Sequence, residues 1–275
     1  MIELLKAVLF GVVEGITEWL PISSTGHMIL LNEFIKLEVS PQFWEMFLVV
    51  IQLGAILAVV LLYWQRIFPF RFGGGNNILK KDVLTMWGKV IIGCLPAIII
   101  GLPFDDTFEA LFYNYQTVSI ALIVFGIAFI VIENRNKNQK PKVNSVAELT
   151  VQMAFLIGVF QLIAGIFPGT SRSGATIVGA LLLGVSRTAA AEFTFFMAIP
   201  VMCGASLLKI VKYVLEGMVL GSMEWAILLV GCTVAFIVSV IVIKFLMSYI
   251  QKNNFKVFGW YRIVLGILVL AYFMV

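Results

Sequence analysis

Apolar residues in this chain do not recur at a helical or strand period. They run on for about 20 positions at a time, the length a helix needs to cross the hydrocarbon core of a bilayer. Six such runs lie near 43–65, 84–103, 115–133, 190–212, 224–246 and 256–275. Periodicity within them carries little information, because a helix between lipid and other helices is apolar all round. Four shorter runs, near 2–20, 24–36, 149–167 and 172–185, form two pairs, broken at Pro21 and at Pro168-Gly169. Polar residues gather at each break. Non-helical backbone at membrane depth is tolerated only where protein or a water-filled cavity satisfies it, so the pairs are predicted to be re-entrant helical hairpins with their tips inside the protein. Two kinked spanning helices are the plainer alternative.

The two breaks are related. A shift of 147 positions lays Gly11–Pro21 over Gly158–Pro168 and Ser24 over Ser171. Glu45 falls on Glu192 at the same offset, and Gly93-Cys94 on Gly231-Cys232 and Gly126-Ile127 on Gly266-Ile267 at slightly shorter ones. The chain therefore reads as an internal repeat, 1–133 and 148–275, within a single membrane domain spanning 1–275. Each half would hold one re-entrant hairpin and three spans. An odd number of crossings turns the second half upside down relative to the first, so the hairpins enter from opposite faces and meet near the midplane. The predicted fold is all-α: a polytopic membrane protein with an inverted-topology repeat, six transmembrane helices and two re-entrant hairpins.

Composition agrees and excludes other classes. Of 275 residues, 61% are hydrophobic and 12% charged, a surface no water-soluble domain of this size carries. The 19 Lys and Arg against 15 Asp and Glu sit mostly in loops rather than in one block, which marks membrane orientation and not nucleic-acid binding. The segments 66–83, 134–148, 186–189 and 247–255 collect Arg66, Arg71, Lys80, Lys81, Arg135, Lys137, Lys140, Lys142, Arg187 and Lys252. That face is expected to be cytoplasmic, with the acidic 104–114 loop and both termini external. Cys94, Cys203 and Cys232 have no metal-like spacing and read as filler. The first apolar stretch is interrupted by Glu14 and Glu18 and lacks a small-residue cleavage site, so it is expected to remain in the mature protein.

Charges inside membrane segments are costly and usually mark a site. Glu14 and Glu18, four apart on the first short helix, share one face about 6 Å apart and need a compensating proton, metal or arginine. Ser23-Ser24-Thr25-Gly26-His27 follows the first break, with three hydroxyls and the chain's single histidine. The second break carries Gly169-Thr170-Ser171-Arg172-Ser173-Gly174-Ala175-Thr176, an anion-binding helix start in type. Phosphoryl transfer needs such parts: donors for equatorial oxygens, cations, and an acid or base for the nucleophile. Arg172 is expected to bind phosphate with Ser171, Ser173, Thr176 and amides around Gly169, and the hydroxyls of Ser23 and Thr25 join the substrate-binding set. Glu14 and Glu18 are expected to hold Mg²⁺ or Ca²⁺. His27 is a general acid or base or a nucleophile, and Ser24 is the competing nucleophile. The repeat pairs Glu14 with Gln161, Thr25 with Arg172 and His27 with Gly174. Each motif has a plainer role: ion pairing for the acids, helix capping for the hydroxyls, a satisfied buried ring for His27, a structural salt bridge for Arg172. Glu45 and Glu192 are expected to cap or brace the hairpins. Arg262, on the last span, is expected to snorkel to the cytoplasmic interface.

The segments Glu14-Gly-Ile-Thr-Glu-Trp-Leu-Pro-Ile-Ser-Ser-Thr-Gly-His27 and Pro168-Gly-Thr-Ser-Arg-Ser-Gly-Ala-Thr176 resemble the two signature segments of the undecaprenyl-diphosphate phosphatases, the bacitracin resistance protein family. The likeness covers essentially the whole chain. It implies hydrolysis of undecaprenyl diphosphate to undecaprenyl phosphate and inorganic phosphate in the bacterial plasma membrane, recycling the lipid carrier of peptidoglycan and conferring bacitracin resistance. It also implies a divalent cation, an active site open to the external face, and roles for Glu14, Glu18, Ser24, His27, Ser171, Arg172 and Thr176. Expected partners are the bilayer and a polyprenyl diphosphate lipid, with a homodimer left open and nucleic acid excluded. Inverted duplication is equally the architecture of secondary transporters. A transporter or flippase of a phosphorylated polyprenyl lipid or small anion is therefore the competing class, set apart by Ser24 and His27, which a carrier does not need.

Overall fold

In the computed structural model, which describes residues 1–71 and 78–274, every long apolar run is a helix and no strand forms among the described residues. Eleven α-helices follow in order: α1 Ile2–Thr17, α2 Ser24–Phe34, α3 Pro41–Ile67, α4 Lys81–Pro96, α5 Asp105–Phe112, α6 Tyr115–Arg135, α7 Val151–Ile166, α8 Arg172–Leu182, α9 Arg187–Leu215, α10 Ser222–Lys252 and α11 Lys256–Met274. A π-turn at Ala97–Gly101 and a 3₁₀ turn carry α4 on to Phe104. Six of these helices are long and apolar enough to cross a membrane, and they are the six expected. Residues 72–77, within the 66–83 segment, and Val275, the end of the sixth run, lie outside the described residues. The chain is a multi-pass membrane protein.

Local chemistry sets the helix starts. Ser40, Asn114, Thr150 and Ser186 each accept an N–H of the first turn of α3, α6, α7 and α9, and Pro41 occupies the first turn of α3, where its missing N–H costs nothing. The one helix not expected is α5. Its Phe108, Leu111 and Phe112 recur at helical spacing, and the Phe112 ring lies 4.9 Å from that of Phe167 at the end of α7. That contact gives an otherwise acidic segment something to pack on.

Contacts between helix ends define two faces. Arg187 is paired with Glu133, which also accepts the Phe255 N–H, while Asn136 donates to Leu181 O, Lys89 to Ala147 O, and Arg66 to Glu192. The ends of α3, α6 and α8 and the starts of α4, α7, α9 and α11 thus share the basic face. On the opposite face Lys209, late in α9, reaches Glu45, early in α3, at 3.7 Å. Glu45 and Glu192 therefore do not brace the hairpins. Each pairs with a cation at the far end of the other's helix, so α3 and α9 run antiparallel.

The helix pairs α1/α10 and α7/α4 are packed in the same way. A Cβ on Gly11 would sit 2.7 Å from Gly231 O, and one on Gly158 2.1 Å from Gly93 O, so backbone meets backbone at both crossings. Gly158→Ala is expected to cost about 1–3 kcal/mol by overpacking, read as a lower thermal midpoint in detergent. An unchanged midpoint would remove this contact from the list of what fixes the fold.

Candidate functional site

Both short helix pairs turn inward, and their turns meet. α1 ends at Thr17, Glu18 completes its last turn, and the chain re-enters helix at Ser24; α7 ends at Ile166 and α8 begins at Arg172. The residues capping the two second helices are Ser23 and Ser171, both at positive φ, +74° and +68°, where only glycine sits without strain. Ser23 Oγ accepts the Gly26 N–H at 3.3 Å and Ser171 Oγ the Gly174 N–H at 3.2 Å. These caps correct the residue pairing read from the sequence. Ser23 is the counterpart of Ser171, and Ser24, not Thr25, is the counterpart of Arg172. Between the break proline and the cap the second turn has one residue more than the first, and Gly169 at φ +90°, where a Cβ would meet Val118 O at 2.5 Å, accommodates it.

Glu18 is the node between the hairpins. Its Oε1 accepts from Arg172 Nη2 at 2.8 Å, its Oε2 from Ser24 Oγ at 2.7 Å, and its main-chain carbonyl from Ser173 Oγ at 3.1 Å. Arg172 also donates to Thr194 O on α9 at 3.2 Å. Both partners of the ion pair are largely buried, with side-chain exposures of 14% for Arg172 and 7% for Glu18. Ser171 and Ser173 share a hydroxyl hydrogen bond of 3.1 Å. Thr176 is fully buried behind them, bonded to Arg172 O and to the Thr194 hydroxyl. Thr25 is half-buried in the first turn of α2 and makes no side-chain hydrogen bond among the described residues. Glu14, one turn before Glu18, is buried, and its Oε1 has no partner.

His27 stands apart from Ser24. Its Nδ1 lies 2.7 Å from Ser23 O and its Nε2 2.6 Å from the Tyr261 hydroxyl on α11. The next residue, Arg262, is wholly buried rather than snorkelling, which overturns the sequence expectation. Its guanidinium donates to Pro21 O at 3.2 Å, Gly169 O at 3.0 Å and Thr170 O at 2.7 Å, and so ties the first turn to the second. Tyr261, Arg262 and Thr194 were missed as site residues. An arginine seven residues into an apolar span was the available signal for Arg262, by the same reasoning that singled out Arg172. The other two give none, since one contacts through a hydroxyl on a lipid-type face and the other largely through its backbone.

Among the described residues no three acidic, histidine or cysteine side chains gather as a metal site. Glu14 and Glu18 are the two carboxylates at hand. Glu18 is engaged on both oxygens, while Glu14 makes no side-chain hydrogen bond among the described residues. Such a pair fits a hard divalent ion only when substrate oxygens supply further ligands, which is how Mg²⁺ is commonly held.

Two buried turns thus join an arginine, a carboxylate and a hydroxyl inside a multi-pass membrane bundle, the residue types on which phosphoryl chemistry draws. The chain belongs to the family described as bacitracin resistance protein BacA, whose model matches residues 7–268. It is 66% identical over 273 residues to the undecaprenyl-diphosphatase of Desulfitobacterium hafniense, covering 99% of this chain and 97% of that one. Identity is 65% to undecaprenyl-diphosphatase 1 of Clostridium acetobutylicum, covering 100% and 98%. It is 57% to the undecaprenyl-diphosphatase of Enterococcus faecalis, covering 99% and 98%.

Proposed function

We infer that this chain is an integral membrane phosphatase that hydrolyses undecaprenyl diphosphate to undecaprenyl phosphate and inorganic phosphate, returning the lipid carrier to cell-wall synthesis. Full-length likeness to the undecaprenyl-diphosphatases supports the substrate. The observation that carries the chemistry is the shared carboxylate, Glu18, held by a phosphate-seeking guanidinium on one oxygen and a candidate nucleophile on the other.

That arrangement supports a substrate-coupled activation. An arriving diphosphate competes for Arg172, which binds two phosphate oxygens at once. Glu18 Oε1 is then released from the guanidinium, while Oε2 keeps the Ser24 hydroxyl and stands ready to take its proton. Ser24 Oγ attacks the terminal phosphorus, the bond to the bridging oxygen breaks, undecaprenyl phosphate leaves, and the serine proton passes to Glu18. His27, with a lone pair on Nε2, takes a proton from the water that releases phosphate from Ser24. Ser171, Ser173 and the first amides of α8 lie beside Arg172, where phosphate oxygens need donors. Glu14 and Glu18 would hold Mg²⁺ or Ca²⁺ together with diphosphate oxygens, and such an ion supplies charge neutralisation for the leaving group.

An apolar groove of about 460 Å³, lined by Met46, Tyr213, Trp225 and Cys232 among others, supports a path for the polyprenyl chain. Its inner end is level with Glu14, because Gly231 and Ala235 of α10 press on Gly11 and Gly15 of α1. The reciprocal α3/α9 and α1/α10 against α7/α4 contacts support an inverted duplication with re-entrant hairpins. The basic face supports a cytoplasmic assignment for itself, in the plasma membrane, and an external one for the opening of the site.

The test is phosphate release from undecaprenyl diphosphate by the purified protein in detergent, with Mg²⁺, Ca²⁺ or a chelator. Metal-dependent release is expected. Release that persists undiminished in chelator removes the cation from the reading. Folded protein that releases none in any metal overturns the enzyme and leaves a carrier of the phosphorylated lipid.

A further inference from the structure

We propose that Tyr261 is a positioning residue that sets the tautomer of His27 and guards its Nε2 until substrate arrives. The proposal rests on the reading of His27 as a proton acceptor. Its geometric basis is the pair of contacts at the ring. Nδ1 faces the main-chain carbonyl of Ser23 at 2.7 Å. A carbonyl oxygen only accepts, so Nδ1 carries the hydrogen. In a neutral imidazole the lone pair is then on Nε2, and the hydroxyl 2.6 Å away must donate to it. The two rings are also parallel, 3° between planes with centroids 5.6 Å apart, which restrains rotation of the imidazole about its own axis.

Each end of this relay is itself fixed. Ser23 is the strained cap of α2, so its carbonyl direction is set by the turn that also delivers Ser24. Tyr261 is fixed by its neighbour, since Arg262 anchors α11 to Pro21 O, two residues before Ser23. The last helix thus presents consecutive residues with separate tasks: one ties the two turns together, the other orients the only histidine in the chain. Tyr261 remains 45% exposed. Its hydroxyl can therefore swing away, and a phosphate oxygen or attacking water can take its place at Nε2 without repacking the core. In the resting state the same contact keeps Nε2 from bonding Ser24, which leaves Ser24 to Glu18.

Because the chain has one histidine, ¹⁵N-histidine labelling gives a single pair of ring resonances, and the tautomer can be read without any activity measurement. The wild-type protein is expected to show protonated Nδ1 and unprotonated, hydrogen-bonded Nε2. Tyr261→Phe keeps the ring stack and removes the hydroxyl. It is expected to lose the Nε2 hydrogen-bond shift and admit the second tautomer, and to lower kcat roughly tenfold with KM unchanged. Added to His27→Gln, which retains residual turnover through Ser24 and Glu18, it is expected to cost nothing more, since a residue acting through His27 has no effect in its absence. Wild-type nitrogen shifts in Tyr261→Phe overturn the tautomer assignment, and an unchanged kcat overturns the positioning role. A further loss in the double variant replaces both with a general packing role. Full activity of His27→Gln alone is a different failure, that of His27 as proton acceptor, and the nitrogen shifts still decide whether Tyr261 holds the ring.

Discussion

Phosphate release by the Arg172→Ala variant falls by roughly a thousandfold, the scale on which an arginine that stabilises phosphoryl-transfer charge acts. Arg172→Lys recovers only part of it, because a lysine offers a point charge where the guanidinium offers a fork. The alanine variant has a second, separable defect. It leaves Glu18 at 7% side-chain exposure with Ser24 as its sole side-chain donor, and breaking a buried pair on one side costs about 3–5 kcal/mol. Stability and catalysis are parted by the double variant Glu18→Gln with Arg172→Ala. Removing the stranded charge is expected to restore most of the thermal midpoint and none of the turnover. Phosphate release is the first measurement and thermal unfolding in detergent the second. An Arg172→Ala protein that works within tenfold of wild type would take phosphate binding away from this side chain. A double variant that regains activity would mean that Arg172 serves only to neutralise Glu18.

What the sequence carries about this molecule follows from where each interaction is encoded. Six spans were legible because solvation by lipid leaves a long, unmistakable apolar record, while their starts are set by capping residues such as Ser40, Asn114 and Ser186, which apolar length does not mark. Glu14, Glu18, Ser24, His27 and Arg172 were legible because charge and hydroxyl at membrane depth have no cheap structural use. In the structure the Glu18 carboxylate joins Ser24 on the first turn to Arg172 on the second. The pairing of residues between the two turns was misread. Offset alignment cannot see that the second turn places one more residue between its proline and its cap than the first, since a glycine at positive φ absorbs it without altering the flanking motif. Likewise α5 went unseen because its acidic residues dominate a short stretch whose packing partner, Phe167, lies far along the chain. His27 follows Ser24 by only three residues, yet its ring contacts Tyr261 on α11, a partner no spacing along the chain announces. Interactions with backbone carbonyls are the least legible of all, because any residue can supply the acceptor.

Arg262 is the largest such case, and its removal is expected to have the broadest effect of any single change outside the carboxylate pair. Its guanidinium is fully buried and donates to three carbonyls at the turns, Pro21, Gly169 and Thr170, with longer contacts to Leu122 O and Ala121 O on α6. These turn carbonyls lie outside regular helix, so they have no intrahelical donor to fall back on. Arg262→Leu fills the space and strands all of them, and each buried acceptor left unsatisfied costs about 1–3 kcal/mol. The variant is expected to lose about 3 kcal/mol or more of stability and, where it still inserts, to release phosphate at a small fraction of the wild-type rate. The reason is geometric: the first turn carries Glu18 and Ser24, the second carries Arg172, and among the described residues Arg262 is the only cation bonded to the main chain of both. Arg262→Lys separates that geometry from charge. One ammonium reaches two of the carbonyls at best, so the lysine variant should fold better than the leucine variant and yet keep the two turns imperfectly registered, with kcat reduced more than stability. Thermal midpoints and phosphate release for the two variants decide the matter. If Arg262→Leu turns over normally, the turns are held by the Glu18 and Arg172 pair alone, and the deepest charge in the last span has some other purpose.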